Sequence, residues 1–414
     1  MKSNILSVRL YGIPIGTLLQ TQEGKMRFEY CEGAKHALSL SMPLTKRKYG
    51  NVPCEAYFGG LLPESEEARR AIGRILRANP NSTFSLLQAI GNDCAGAVSL
   101  HTPDVPVEAD TSHEMGMKPL SDTALAQHIR ELPQKPLFIG VEGLRLSLAG
   151  VQEKAAVCMI NGRIGLPIRG TPTTHILKPA IDRYPGSVPN EYLCLKVAKA
   201  LGLPVPNAEI RRAEDQVYLL VERYDRSVDE GKGILRLHQE DFCQALGVKE
   251  KYQRYGGPTL RDCFDLLLNS SLPVVDRNIL MQAVVFNFLI GNADAHGKNF
   301  AMLYDSHGKA RLAPFYDILC TQVYEDLSTE MCMKIGESYD FMEVAMDDWE
   351  KLCYQTGFSF PVLKRMMGKM SDEISTALVK ERAQLGSTEF DTDLADKMVA
   401  QVERNRKRLI RMLR

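Results

Sequence analysis

The feature that most constrains this sequence is a change of pattern along its length. Short β-like segments dominate as far as Arg223, and helical periodicity dominates from Gln239 onward. A β-dominated half followed by a helical half predicts two lobes with a cleft between them, and 414 residues exceed what one ordinary core takes. Residues 5–11, 13–19 and 25–30 read as strands broken at Gly12 and at Glu23-Gly24, and a helical stretch follows at 66–76. Residues 102–120 are rich in proline, acid and polar side chains with no apolar period, which predicts a linker. Ser121-Asp122 caps a helix to about residue 132, and Asn161-Gly162 between 154–160 and 163–168 predicts a type I′ hairpin. Residues 175–178 form a strand, and Asn190 reads as the N-cap of a helix over 191–201 that stops at Gly202. The last strand expected is 216–223; helices follow at 240–246, 260–268, 277–290, 349–355, 361–378 and 394–413.

Composition excludes several classes. The chain is 44% hydrophobic and 25% charged, the profile of a globular protein. Its 51 basic and 51 acidic side chains cancel, so no global field draws it to nucleic acid or an anionic membrane. Ten scattered cysteines include no Cys-x-x-Cys pair, which favours buried free thiols in a reducing cytosol over zinc or disulfide frameworks. Arg9 interrupts what an export signal would continue as an apolar run, and the longest apolar stretch, 279–290, falls short of the roughly 20 residues that span a bilayer. A cytoplasmic chain is expected. The basic C-terminal helix, with Arg404, Arg406, Lys407, Arg408, Arg411 and Arg414, reads as a solvated face rather than a DNA-binding surface.

The sharpest chemistry lies in residues 291–300, GNADAHGKNF, directly after the most apolar helix. Asp294 and Asn299, five apart, have the spacing with which a kinase catalytic loop supplies a proton acceptor and a magnesium ligand. Asp317 ends the next extended run, 312–318, where a second metal ligand belongs. The same residue types also make ordinary turns. Lys178 ends a strand and suits a phosphate cation, and Glu191 either orients it or complements a helix N-terminus. Residues 146–154 lead through a turn with one glycine, Gly150, into a hairpin, and backbone amides in such a turn can cradle phosphates without matching G-x-G-x-x-G.

The set formed by 147–154, 171–178, 190–192, 221–226, 294–300 and 314–317, with 61–64 and 90–98 before it, closely resembles the HipA family of bacterial toxin serine/threonine kinases, and the resemblance covers nearly the whole chain in order. It implies an α+β, protein-kinase-like two-lobed fold with an extra N-terminal β-rich subdomain (1–110), a kinase N-lobe (111–225) and an all-helical C-terminal lobe (226–414). It implies ATP and Mg²⁺ as cofactors, Asp294 as catalytic base, and Asn299 and Asp317 as metal ligands. Ala149, Gly150, Val151, Gln152, Lys178, Glu222 and Tyr224 would bind ATP, with His296 and Lys298 in a supporting electrostatic role, and Ser147 would be the autophosphorylated loop serine. Family members with known targets act on aminoacyl-tRNA synthetases to arrest growth, held in check by a small helix-turn-helix antitoxin through which alone they meet DNA; no membrane is implied. Gly297 and Tyr224 depart from the alanine and phenylalanine of a known relative, and residues 322–341 match poorly, which leaves substrate choice open. Two rival readings are a repressor-binding pseudokinase scaffold, disfavoured by the intact Lys178, Asp294, Asn299 and Asp317, and a small-molecule kinase.

Overall fold

The computed structural model describes residues 4–103, 116–140, 146–168, 171–229, 233–390 and 393–414. Most of the expected linker, 102–120, lies outside them, but its described end is a strand, Met117–Pro119, paired with Arg163–Pro167. The chain divides into two compact units: residues 1–179, 211–249 and 303–308 form one, and 180–210, 250–302 and 309–414 the other.

The first unit holds two antiparallel sheets. In one, Ile5–Leu10, Ile13–Gln20 and Met26–Tyr30 follow the predicted strands closely, flanked by Lys48–Tyr49 and Val98–His101. Alternation puts Leu6, Val8 and Leu10 inward, and Phe28 packs edge-on to Tyr30 at 4.7 Å and against Phe58 at 5.7 Å. Helix Glu66–Leu76 occupies its predicted span, capped by Ser65, whose side chain accepts from the Ala68 amide. The second sheet orders its strands Ala208–Ala213, Gln216–Glu222, His175–Pro179, Ala155–Ile160, Arg163–Pro167 and Met117–Pro119. Asn161 and Gly162 take φ of 50° and 77°, the two positive values a type I′ hairpin requires. One continuous apolar core, including Phe58, Leu86, Phe138, Val157 and Leu220, serves both sheets.

The second unit is built on helix Pro273–Ile290, which starts four residues before its predicted position because Pro273 suits the first turn. By length and composition it could cross a membrane; here it is a core helix, with Phe288 packed against Phe341 at 5.5 Å and edge-on to Trp349 at 5.6 Å. Helices Leu260–Leu266, Met346–Thr356, Phe360–Gly386 and Asp393–Leu413 accompany it. The expected helix at 240–246 is shorter, Phe242–Leu246, because Asp241 caps it after a strand, Gln239–Asp241.

Three expectations are corrected. The helical half is not all-helical, since it carries strands Ala301–Tyr304, Ala310–Leu312, Glu330–Ile335 and Ser338–Asp340; Gln216–Glu222 is therefore not the last strand. Asn190 is not an N-cap: the helix runs Ser187–Ala200 from Gly186 at φ 75°, and Asn190 is fully buried, its Oδ1 accepting from the Cys320 amide at 2.8 Å and its Nδ2 donating to the Cys320 carbonyl at 3.1 Å. Glu191 consequently lies in the second turn, buried, and is no complement to a helix terminus. The C-terminal helix is amphipathic rather than wholly solvated. It buries Met398, Val402 and Leu409, its Asn405 donates to the last carbonyls of the core helix at Phe288 and Leu289, and its Arg408 donates to carbonyls at Phe341, Met342 and Val344.

Candidate active site

The core helix ends at Gly291, whose φ of 78° only glycine takes at little cost, and a side chain there would strike Gln322. The chain then turns into the 292–299 loop under a set of short-range bonds. Asn292 Oδ1 accepts from the Asp294 amide at 3.1 Å, and Thr321 Oγ1 accepts from the Ala293 amide at 2.8 Å while donating to the Gly291 carbonyl at 3.1 Å. Asn299 is buried, and its Nδ2 donates to the Asp294 carbonyl at 2.9 Å. That bond engages the amide nitrogen and does not use the amide oxygen, the asparagine atom that can ligate magnesium. Asp294 itself points outward, its side chain 53% exposed, and is accessible to a second molecule.

The Asp317 segment is tied to the same loop. Tyr316 donates to the Lys298 carbonyl at 2.6 Å, Phe315 packs edge-on to Phe300 at 5.9 Å, and the Ala313 amide donates to the Ala301 carbonyl at 2.9 Å. Further back, Asp276 is buried and accepts three bonds from Arg311 and one, at 3.0 Å, from the Leu312 amide. Burial works against its ionisation, but Arg311, Ser270 and the Leu312 amide together hold its carboxyl below the ordinary range. Asp317 has φ of 57°, a left-handed conformation uncommon outside glycine and costing on the order of 1 kcal/mol or more. Strain of this kind collects where a side chain must be aimed. Asn292, Ala295, Asn299, Phe315 and Asp317 line one cavity.

Among the described residues no group of three or more His, Cys, Asp or Glu side chains is arranged to hold a metal. Magnesium does not require one, since it takes one or two protein oxygens and completes its shell with phosphates and water. Asn299 and Asp317, which both line that cavity, carry an amide oxygen and a carboxylate, a donor set that fits it.

The remaining candidates lie in the first unit. Lys178 is buried on strand His175–Pro179 opposite Leu219, and Glu222 pairs with His175 at the end of the neighbouring strand. Tyr224 donates to Gln239. Around it, Arg223, Asp225 and Arg226 are buried with Asp93 and Arg236 in one charged cluster. Arg223 grips Asp225 with two bonds of 2.9 and 2.8 Å, and Arg226 bonds Asp225 at 2.9 Å and Asp93 at 3.0 Å. Thr173 donates to Asp93 at 3.1 Å, and Arg236 also pairs with Asp93. Burial pushes the Asp93 carboxyl up, but Arg236, Arg226 and Arg223 overcome this and hold it far below the ordinary range. A nucleotide-segment role for 221–226 gives no sign that Arg223, Asp225 and Arg226 are sequestered while Glu222 stays exposed.

In the turn, Gly150 has φ of 110°, its carbonyl accepts from the Glu64 amide at 3.0 Å, and Lys154 occupies the space a side chain at 150 would need. Ala149 and Gln152 are half-buried, Val151 is exposed, and Gln152 donates to the Pro179 carbonyl at 3.4 Å. Ser147 is not on an open loop. It is fully buried, its Oγ donates to the Leu61 carbonyl at 2.5 Å, and its amide donates to the Asp93 carbonyl at 2.9 Å.

Residues 6–101 match the HipA N-terminal domain and residues 146–381 the HipA-like C-terminal domain. The chain is 41% identical over 389 residues to the putative kinase Y4mE of Sinorhizobium fredii, covering 92% of each. It is 33% identical over 318 residues to the serine/threonine-protein kinase toxin HipA of Shewanella oneidensis, covering 73% of this chain and 71% of that one. A solved complex of HipA, HipB and operator DNA from Shewanella oneidensis contains a chain that superposes with a TM-score of 0.86 at 26% identity, covering 99% of this chain and 98% of that one.

Proposed function

The chain belongs to the HipA family, and from that premise we propose that it is an ATP- and magnesium-dependent serine/threonine protein kinase that acts as a growth-arresting toxin in the cytoplasm. The observation that carries this reading is the bond from Asn299 to the Asp294 carbonyl, in a loop that Tyr316 ties to the Asp317 segment. Asp294, Asn299 and the Asp317 segment thus belong to one braced structure, which supports reading them as proton acceptor and metal donors. Asp294 takes the proton of the acceptor hydroxyl, while Asn299 and Asp317 would hold magnesium, which would supply charge neutralisation at the phosphate. Lys178 is the phosphate cation, Ala149, Gly150, Val151 and Gln152 supply the phosphate turn, and Glu222 and Tyr224 hold the adenine. His296 and Lys298 add positive or hydrogen-bonding character beside the base. In this reading residues 1–110 are an added β-rich subdomain, 111–225 the N-lobe and 226–414 a mainly helical C-lobe.

A small helix-turn-helix antitoxin is the proposed partner, with DNA reached through it; the Shewanella complex of HipA, HipB and operator DNA supports this. The acceptor is a cellular protein, for which an aminoacyl-tRNA synthetase is the family's precedent. Self-phosphorylation at Ser147 requires the 146–150 turn first to leave its bonds to Leu61 and Asp93. Once modified, about 1.5 to 2 negative charges cannot return to that buried position, so the phosphorylated form stays open and binds ATP poorly.

Incubation of the purified chain with Mg–ATP, followed by intact-mass and peptide mass spectrometry, tests the reading. Phosphoserine on the protein, and growth arrest on expression that Asp294→Asn abolishes, are expected. Nucleotide binding without any phosphoprotein, together with phosphate transfer to a hydroxyl-bearing small molecule once one is added, would point instead to a small-molecule kinase, and no nucleotide binding at all to a scaffold.

A further inference from the structure

Residues 322–341 contain strand Glu330–Ile335, which lies directly against the 292–299 loop. Its Cys332 amide donates to the Ala293 carbonyl at 3.0 Å, one residue before Asp294. Its thiol donates to Asp294 Oδ1 at 3.3 Å. A second donor reaches the same oxygen from a different segment, the Tyr252 hydroxyl at 3.4 Å. Near the other carboxylate oxygen, Oδ2, His296 Nε2 lies at 4.0 Å. The two oxygens are therefore unlike: Oδ1 faces two donors, and Oδ2 is left for an incoming proton.

Resting on the assignment of Asp294 as base, we propose that Tyr252 and Cys332 form a two-donor clamp on Asp294 Oδ1 that presents Oδ2 to the acceptor hydroxyl, which makes both of them positioning residues for phosphoryl transfer. Rotation about the last torsion of an aspartate is broad, so an unrestrained carboxylate samples orientations that cannot take the proton. Two donors converging on one oxygen restrict it. The thiol is suited to donate, because burial and the neighbouring Asp294 charge push it far above its ordinary range and keep its proton on.

The clamp is itself braced. Tyr252 packs edge-on to His296 at 5.4 Å, and the Lys251 carbonyl accepts from the Gly297 amide at 3.4 Å. The Lys334 amide donates to Gln253 at 2.8 Å, Arg254 pairs with Glu330, and Arg254 and Lys334 lie over the Tyr339 ring at 4.9 and 5.1 Å. Segments 251–255 and 330–340 thus form one support on the acceptor side of the base.

The test is the initial rate of ADP formation from Mg–ATP by the full chain, read before Ser147 modification accumulates, with Mg–ATP affinity measured separately on unmodified preparations. Cys332→Ala and Tyr252→Phe should each lower kcat by about 10-fold, and the pair by up to about 10²-fold, the scale of a misplaced catalytic group, with ATP affinity unchanged. Cys332→Ser, which keeps a donor, should recover most of the loss. The clamp is wrong if the two single variants turn over like wild type while Asp294→Asn is inactive, or if Cys332→Ser is as impaired as Cys332→Ala, which would make the effect one of packing. An active Asp294→Asn enzyme would instead overturn the base assignment and the clamp with it.

Discussion

Replacing Asp225 with asparagine keeps the shape of the side chain and removes its charge from a buried cluster, so its cost can be worked from the contacts. Asp225 accepts four bonds, two from Arg223 at 2.9 and 2.8 Å, one from Arg226 at 2.9 Å and one from the Gly96 amide at 2.7 Å. Burial alone would raise its carboxyl; Arg223 and Arg226 outweigh that and set it at about 2 against an ordinary 3.8. By linkage that difference contributes about 2 kcal/mol at neutral pH, fully present above pH 3.8 and lost as pH falls through about 2. The substitution does more than remove this. It turns an amide group toward a guanidinium and leaves Arg223, Arg226 and Arg236 with Asp93 alone, and breaking a buried pair from one side costs about 3–5 kcal/mol. That is a large part of the ~5–15 kcal/mol of a typical domain. Urea denaturation followed by far-UV ellipticity is the assay, because the chain's one tryptophan, Trp349, sits in the other unit. The control is Glu29→Gln, whose pair with Lys48 at 3.3 Å is exposed and worth under about 1 kcal/mol. If Asp225→Asn costs no more than the control, the cluster is not an interdependent buried network and the reasoning fails.

Glu240 is buried with its carboxyl pushed up to about 7 by desolvation, against bonds from Ser39, Tyr304 and the Leu40 amide that lower it. The folded state therefore holds a proton the unfolded chain releases, and on the order of 3 kcal/mol of stability present below pH 4.5 is lost as pH rises through about 7; Glu240→Gln should flatten the melting temperature over that range, and an unchanged slope would refute the assignment. Asn190→Ala should cost about 2–4 kcal/mol, since it strands both backbone groups of Cys320, and Trp349 fluorescence in a urea titration should report it; a loss under about 1 kcal/mol would mean water replaces the side chain. Asp317→Ala should weaken magnesium-dependent ATP binding more than Asn299→Ala, because a carboxylate neutralises charge that an amide does not; identical magnesium titrations for Asp317→Ala and wild type would remove Asp317 from the metal site.

The features legible in the sequence were those set by local rules. Asn161-Gly162 demanded positive φ at both positions and has it, and Ser65 opens the helix at Glu66 as a capping serine does. The spacing of Asp294 and Asn299 is closed by a bond within the loop, so a local pattern carried it. The errors came where distant contacts overrode local preference. Asn190 looks like an N-cap beside Glu191, yet its partner is Cys320, and the helix begins earlier because Gly186 can turn left-handed into it. In Glu330–Ile335, Met331, Met333 and Ile335 alternate with Glu330, Cys332 and Lys334, a strand signal that was passed over as a family mismatch. Nothing in the sequence joins Tyr252 or Cys332 to Asp294, because that meeting exists only after three separate segments pack.

The central claim is that Asp294 performs proton transfer and leaves nucleotide binding to other groups, and a single measurement addresses it. Wild type and Asp294→Asn are compared for Mg–ATP affinity and for the single-turnover rate of γ-phosphate transfer. The account predicts equal affinity and a rate lower by about 10²- to 10⁴-fold in the variant. Transfer by Asp294→Asn at close to the wild-type rate would contradict it.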